Sequence, residues 1–386
     1  MRQGFYIFIA IFLLLYCLVN YYVGYRAWQM VFSRIGWLPS KLYWIVFWGV
    51  AVAYIVGRLG RSWLTPALGE YITLVGAYWL AILYYSVLGW VLIDLVRLLN
   101  RWIGFIPQAI TNHPSYPLAI GMVVLLAVTG LVGYGHWNAR HPQVKNYTLD
   151  IPKSGGNLKQ LHIVAVSDIH LGEIMDAQRL RVLINMINEL QPDMVLMPGD
   201  VIDEDVGPFI QQKMADVFEE LQPKYGIVAV PGNHEYIGGQ GEEVIKNLRQ
   251  SGITVLRNST LLVADSVYVI GRDDSAAARF GGEERPALAN ILQSVDKSKP
   301  LILLDHQPKN LGEAEAQGID LQLSGHTHRG QFWPNNYVTE KMYEIDWGYL
   351  RKGSLQAVVS LGFGTWGPPI RVGNSPEIVD IVVRFK

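Results

Sequence analysis

Apolar residues follow two regimes along this chain. Up to about residue 140 they come in long runs, Phe5–Val23, Leu42–Val56, Tyr71–Ile93 and Pro117–Tyr134. A helix that crosses the ~30 Å hydrocarbon layer of a bilayer needs ~20 mainly apolar residues. The first, third and fourth runs meet that length. The second is short unless it extends through Arg58 to Leu64, with the arginine reaching back to the interface. Trp28, Trp37, Trp44, Trp63, Trp102 and Trp137 lie near the run ends, where amphipathic rings favour the headgroup level. Residues 1–140 therefore read as an all-α membrane anchor with about four transmembrane helices. A cleaved leader followed by buried core helices does not suit runs of this length.

Residues 141–160 read as a linker and opening strand, punctuated by Pro142, Pro152 and Gly155-Gly156. From 161 to 386 short apolar runs alternate with amphipathic segments. LHIVAVSD (161–168), MVLMPGD (194–200), GIVAVPGN (226–233), LILLDH (301–306) and IDLQLSGH (319–326) have strand length. Residues 254–271, 355–362 and 377–385 add further strands. Residues 177–190 place Leu180, Leu183, Ile184, Ile187 and Leu190 on one helical face, and 208–221, 242–252 and 285–295 read as helices. Strands alternating with helices, then a strand-rich end, predict a layered α/β domain.

Charge separates the same two parts. Residues 1–140 hold nine Lys/Arg and two acids, Glu70 and Asp94, whereas the remainder holds 23 Lys/Arg against 31 Asp/Glu. An acidic soluble part argues against nucleic acid as a partner, since phosphates demand a basic face. The single cysteine, Cys17, excludes a thiolate metal site within one chain. Orientation rests on the basic loops. Arg26, Arg34 and Lys41 follow the first run, against Arg2 and the α-amine before it. Arg97 and Arg101 agree with them, while Arg58, Arg61, Arg140 and Lys145 oppose. The first loop against the N-terminal flank favours a cytoplasmic first loop and, with an even number of spans, an extracytoplasmic soluble domain.

Candidate chemistry gathers just past the apolar strands. SDIH supplies Asp168 and His170, PGDVID Asp200 and Asp203, PGNHE Asn233, His234 and Glu235, LDHQP His306, and SGHTH His326 and His328. In α/β sheets, ligands collect at strand carboxyl ends, in loops that a rigid sheet positions. One such Asp or Asn is ordinarily a helix cap or turn former. Five strand ends delivering carboxylate, amide or imidazole together point to a metal site. Alternate residues of a strand face opposite ways, so His326 and His328 share a site only if the chain turns, which Gly325 and Gly330 permit.

In order and spacing, D-x-H, G-D-x-x-D, G-N-H-E, a lone H and G-H-x-H over residues 160–330 resemble the calcineurin-like metallophosphoesterase superfamily. The PPIRVGNSPEI tail and GHTHRGQ are similar to its membrane-associated or exported bacterial phosphodiesterases, whose signature is close to GHTHGGQ; Arg329 takes the place of a glycine. The resemblance implies an α/β/β/α sandwich and a pair of divalent ions. Asp168, His170 and His328 would hold one ion, Asn233, His306 and His326 the other, and Asp200 would bridge them. It also implies a bridging hydroxide as nucleophile, with His234, oriented by Asp203, facing the phosphate. Ligands of this kind suit Mn, Fe, Zn, Co or Ni, with Mn favoured. The implied activity is a membrane-anchored phosphodiesterase or phosphatase, acting on a phosphate ester that the anchor would make lipid-linked or part of the cell envelope. The alternative is a non-catalytic metal-binding scaffold or sensor, which would be expected to have lost a ligand. A transporter would need polar residues inside the spans, and Asn20 and Thr73 are nearly all the runs offer. Arg329 and Arg371 read equally as phosphate contacts or as solvated surface charge.

Overall fold

The computed structural model describes residues 2–60, 63–280 and 284–386. Arg61 and the α-amine of Met1, both weighed for orientation, lie outside the described residues. Two compact units divide the chain, Met1–His136 with Gly367–Pro369, and Trp137–Trp366 with Ile370–Lys386.

The first unit is helical. Helices α1 (Arg2–Met30), α4 (Pro66–Ile103) and α5 (Tyr116–Ala139) are each long and apolar enough to cross a membrane. Between them α2 (Ser40–Ala51) and α3 (Ala53–Leu59) meet at a 44° bend, and as one broken span they make a fourth. This element stops at Leu59, with Gly60 as its cap, and does not continue to Leu64. The runs had marked only the apolar centres of the helices. The long helices continue past them because their hydrogen bonds are made by the backbone, which polar residues at the interface carry as well as apolar ones. Large apolar side chains face outward, among them Ile11, Phe12, Leu14, Leu15 and Leu126, the inverse of a water-soluble bundle.

Two polar groups inside this unit are paired across helices. Asn20 is fully buried; its Oδ1 accepts from Trp79 Nε1 at 2.9 Å and its Nδ2 donates to the Tyr16 carbonyl at 2.9 Å. Asp94, near the end of the long α4, accepts from Arg26 at 2.6 Å and from the Tyr22 hydroxyl at 2.7 Å, with Arg97 3.8 Å away. Helices α3 and α4 touch through small residues. A Cβ at Gly76 would fall 2.1 Å from Tyr54 N, and one at Gly57 would fall 2.4 Å from Thr73 Oγ1.

The second unit is a double-sheet sandwich. One sheet has the order β1 (Gln143–Ile151), β12 (Glu377–Phe385), β2 (Gln160–Ala165), β3 (Met194–Pro198), β4 (Ile227–Val230) and β5 (Ile253–Val255). The other has the order β10 (Gly348–Lys352), β11 (Leu355–Val359), β9 (Leu321–Ser324), β8 (Leu301–Leu304), β7 (Val267–Gly271) and β6 (Ser259–Val263). Strands β2 to β5 run parallel, as do β7, β8, β9 and β11. Successive side chains face opposite ways. Leu161, Ile163 and Ala165, with Leu196, Ile302, Leu304 and Leu323, fill the space between the sheets. Val164, Val195 and Met197 instead pack under helices α6 (Ala177–Leu190) and α7 (Gly241–Gln250), and Leu301 and Leu303 pack under the opposite outer layer. Burial on both faces is why these strands read as unbroken apolar runs, and the four layers are α/β/β/α.

Several segments depart from the sequence reading. Residues 208–221 form two short helices, Gly207–Gln211 and Met214–Phe218, and 285–295 keeps only Leu288–Ile291. The stretch 254–271 resolves into three strands. The linker and opening strand supply β1, paired in parallel with β12 along nine residues.

The α3–α4 contact makes a direct check. Gly76→Ala should lower thermal stability of the detergent-solubilised protein by roughly 1–3 kcal/mol through overpacking. Gly130→Ala, where a Cβ meets nothing within 4 Å, should not. Equal melting of the two variants would contradict the close packing.

Candidate functional site

The parallel strands of both sheets deliver their carboxyl ends to one cluster. Asp168 and His170 follow β2, Asp200 follows β3, Asn233 and His234 follow β4, His306 follows β8, and His326 and His328 follow β9. Ladder bonds continue into the loops, with Asp168 N donating to Gly199 O at 3.1 Å and His170 N to Asp200 O at 3.0 Å.

The seven residues expected as ligands fall into two adjoining groups. In the first, His170 Nε2 lies 3.0 Å from His328 Nε2, and Asp168 Oδ1 lies 3.3 Å from His328 Nε2. In the second, His306 Nε2 lies 3.1 Å from Asp200 Oδ2, 3.2 Å from Asn233 Oδ1 and 3.2 Å from His326 Nδ1. Asp200 Oδ2 is also 4.0 Å from His170 Nε2, so one oxygen reaches toward both groups.

Charge and hydrogen bonding decide what these groups can hold. His306 Nδ1 lies 2.9 Å from the Pro198 carbonyl, which only accepts, so that nitrogen carries the proton. In the neutral ring Nε2 is then a lone pair facing a carboxylate, an amide oxygen and another imidazole nitrogen. One proton cannot serve four acceptors; a cation can. Burial disfavours a charge on His306, yet Asp200 and Asp168 outweigh it and hold its pKa well above the usual value, so this point stabilises positive charge. Burial, then His306, lowers His326 to about 3, and burial, then His170 and Arg371, holds His328 well below its usual value. Both rings are neutral at pH 7, the form that binds metal. Ligand bonds of ~2.0–2.2 Å place neighbouring donors about 3 Å apart, which matches the spacings above. The residues fit divalent cations.

Backbone strain concentrates in the same place. Asp168, His170, Asp200, His326 and His328 all have φ between 46° and 72°. Non-glycine residues in this region cost roughly 1–3 kcal/mol each and persist where surrounding structure over-determines them. His326, His328 and Arg329 make the turn themselves, with φ of 72°, 46° and 46°. Gly325 is needed for another reason, since a Cβ there would lie 1.8 Å from Ser167 Oγ. Arg329 keeps the left-handed backbone that a glycine would adopt without strain, and its guanidinium lies 4.9 Å from the Trp347 ring centroid. Arg371 is neither a surface charge nor open to substrate. It is wholly buried and donates to the carbonyls of Leu361 at 2.8 Å and Gly364 at 2.6 Å, behind His328.

Beside the cluster His234 Nδ1 lies 2.9 Å from Asp203 Oδ1. Burial works against a charge on His234, but Asp200 and Asp203 raise it to about 9. The Trp366 ring stands 6.3 Å from it, half-exposed. Glu235 does more than serve its own loop. Its Oε1 accepts from Val201 N at 2.7 Å and Ile202 N at 3.0 Å, and its Oε2 from Gly232 N at 2.7 Å and Asp200 N at 3.1 Å. It therefore ties the Asp200 loop to the Asn233 loop. Burial, then Asp200, raises its carboxyl to about 7, opposed by these N–H donors. A glutamate directly after Asn-His was the available signal; its reach to a loop 34 residues earlier was not.

Residues 161–330 match the calcineurin-like phosphoesterase family. An uncharacterised metallophosphoesterase of Aquifex aeolicus is 33% identical over 66% of this chain and 97% of its own length. A transmembrane protein with metallophosphoesterase domain from Danio rerio is 31% identical, over 80% of this chain and 74% of its own. An uncharacterised metallophosphoesterase of Campylobacter jejuni is 30% identical over 99% of both chains. Sandwich and cluster together define a metal-dependent phosphoesterase, associated here with a membrane. The chain belongs to the calcineurin-like phosphoesterase family.

Glu235→Gln puts an amide NH2 where one carboxylate oxygen accepts two N–H groups. It should destabilise the protein by roughly 2 kcal/mol, about 4–8 °C in Tm. An unchanged Tm would show that the carboxylate does not hold the two loops.

Proposed function

We propose that the protein is a membrane-anchored hydrolase of phosphate esters that uses a pair of divalent cations. Asp168, His170 and His328 hold one cation, Asn233, His306 and His326 the other, and Asp200 lies between them. The observation that carries this reading is the convergence on His306 Nε2 of Asp200 Oδ2, Asn233 Oδ1 and His326 Nδ1, all within 3.2 Å of one point that favours positive charge. Cations bound there supply Lewis-acid polarisation of a phosphoryl oxygen and make water acidic enough to attack phosphorus at neutral pH.

Asp203, hydrogen-bonded to Nδ1, favours the protonated form of His234. With Nδ1 fixed on Asp203, its Nε2–H is free to stabilise negative charge on the phosphate or to protonate the leaving oxygen. Asp203 sets the tautomer and orientation of the ring. The helical unit supports an ester carried by a lipid or by the cell envelope as substrate, since a soluble ester needs no spans beside its enzyme.

Orientation follows the basic residues. Arg26 and Arg97 meet around Asp94 at the carboxyl ends of α1 and α4, and Arg34, Lys41 and Arg101 lie in the segments that follow or close these helices. Arg26, Arg34 and Lys41, against Arg2 at the start of α1, support a cytoplasmic location for that end and an extracytoplasmic catalytic unit.

Protein stripped of metal and given Mn²⁺ should hydrolyse p-nitrophenyl phosphate or bis(p-nitrophenyl) phosphate, and Asp200→Asn should not. His234→Ala should lose more rate on an alkyl leaving group than on p-nitrophenol, by roughly tenfold or more. Activity in Asp200→Asn, or an equal loss on both leaving groups, would contradict these roles. In a Cys17→Ser background, a membrane-impermeant maleimide should label intact cells at Ser154→Cys and not at Ser33→Cys. The reverse pattern would invert the orientation.

A further inference from the structure

Strand β7 lies beside β8 in parallel, so the residue after its end, Arg272, emerges at the same sheet edge as His306. Arg272 N donates to Leu304 O at 3.0 Å, extending the ladder by one step. Beyond it lies a cavity of about 210 Å³ lined by Arg272, Ser275, Arg285, Gln307, Lys309 and Asn310 among others. At ~30 Å³ per water it has room for roughly seven, enough for a phosphate group with part of its hydration.

The lining is built for an anion. Arg272 is 6% exposed and donates to Glu313 Oε2 at 2.8 Å, while Arg285 pairs with Asp305. Neither carboxylate lines the cavity, so both arginines are fixed in place, and among the described residues no acid lines the space. Lys309 donates to Gln307 Oε1 at 2.6 Å and has no carboxylate partner among the described residues. Gln307 is oriented in turn by Asp274, which accepts from its Nε2 at 2.8 and 3.0 Å. With Asp274 counted, three basic and three acidic groups balance, but among the described residues only the basic ones line the cavity, where Ser275 and Asn310 add polar groups.

The cavity also adjoins the metal cluster. Gln307 follows His306 directly in the chain. Arg285 pairs with Asp305, the residue directly before His306. An anion between the arginines and Lys309 would thus sit beside a phosphate held at the cations. We propose that this cavity binds a second phosphate group next to the ester hydrolysed at the metal cluster. The proposal rests on the reading above for the position of that ester. The phosphate is either a further group of the substrate itself or a free phosphate ion.

Two arms tell these sources apart, both with the full-length protein in detergent. The first compares kcat/KM for the p-nitrophenyl ester of thymidine 5′-phosphate with that for its analogue carrying a 3′-phosphate. Wild type should favour the ester that carries the 3′-phosphate by about tenfold. Lys309→Ala and Arg285→Ala should each abolish most of that ratio, and Arg285→Lys should restore part of it. The second arm measures binding of inorganic phosphate to metal-stripped protein by calorimetry. Phosphate binding that weakens in Lys309→Ala and Arg285→Ala without any ester preference would assign the cavity to the free ion. Lys309→Ala, whose side chain pairs only with Gln307 among the described residues, guards against a misfolded variant. If neither ester is hydrolysed, the catalytic reading fails while the binding arm still decides the cavity. No ester preference, together with phosphate binding absent or unaffected by the substitutions, would overturn the proposal.

Discussion

Acceptor atoms repel one another, and this structure holds seven acceptor-bearing side chains against that repulsion. His306 Nε2 shows the constraint most sharply. Its ring proton is committed to the Pro198 carbonyl, and its free lone pair faces a carboxylate, an amide oxygen and a second imidazole. Such a point is stable only with positive charge in it. Without a metal the site raises the pKa of His306 to supply one, and with a metal the same electrostatics become binding energy.

The rest of the domain can be understood as the means of holding those groups in place. Two sheets, each buried on both faces, fix where the strands end. The loops then turn within one or two residues, through left-handed backbone at Asp168, His170, Asp200, His326 and His328. That strain is offset by bonds a looser scaffold would lack. Glu235 binds four backbone N–H groups across two loops, and Arg371 spends its guanidinium on carbonyls behind His328. The His326 N–H donates to Asp168 at 3.0 Å, joining the two sheets at the site.

Much of this was legible in the sequence, for reasons of periodicity. Residues 177–190 keep the helical apolar spacing from end to end, and the observed helix has those limits. The central strands stood out because burial on both faces leaves them no polar positions. Elements whose pattern is set by distant partners were not visible. The helix Asn336–Met342 and strand β10 carry few buried residues, so nothing periodic marks them. Residues 285–295 are apolar enough for a helix, but Pro286 and the tertiary layer leave only one turn. At the site, chemistry repeated at five strand ends was readable, and its geometry was not. Gly325 looked like a hinge and proves to be a close approach to Ser167. Arg371 read as a phosphate contact or a surface charge because no local pattern announces burial of an arginine. Lys309 and Arg285 lie 24 residues apart, and only the parallel pairing of β7 and β8 brings their loops together.

Metal content per chain tests the central claim most directly. Full-length protein, stripped and reconstituted with Mn²⁺, would be measured by mass spectrometry of the metal alongside Asp200→Asn and His306→Ala. The account predicts about two ions per wild-type chain and a clear loss in both variants, because each removes a group on which the others converge. A wild type that retains no metal, or variants that hold as much as wild type, would contradict it.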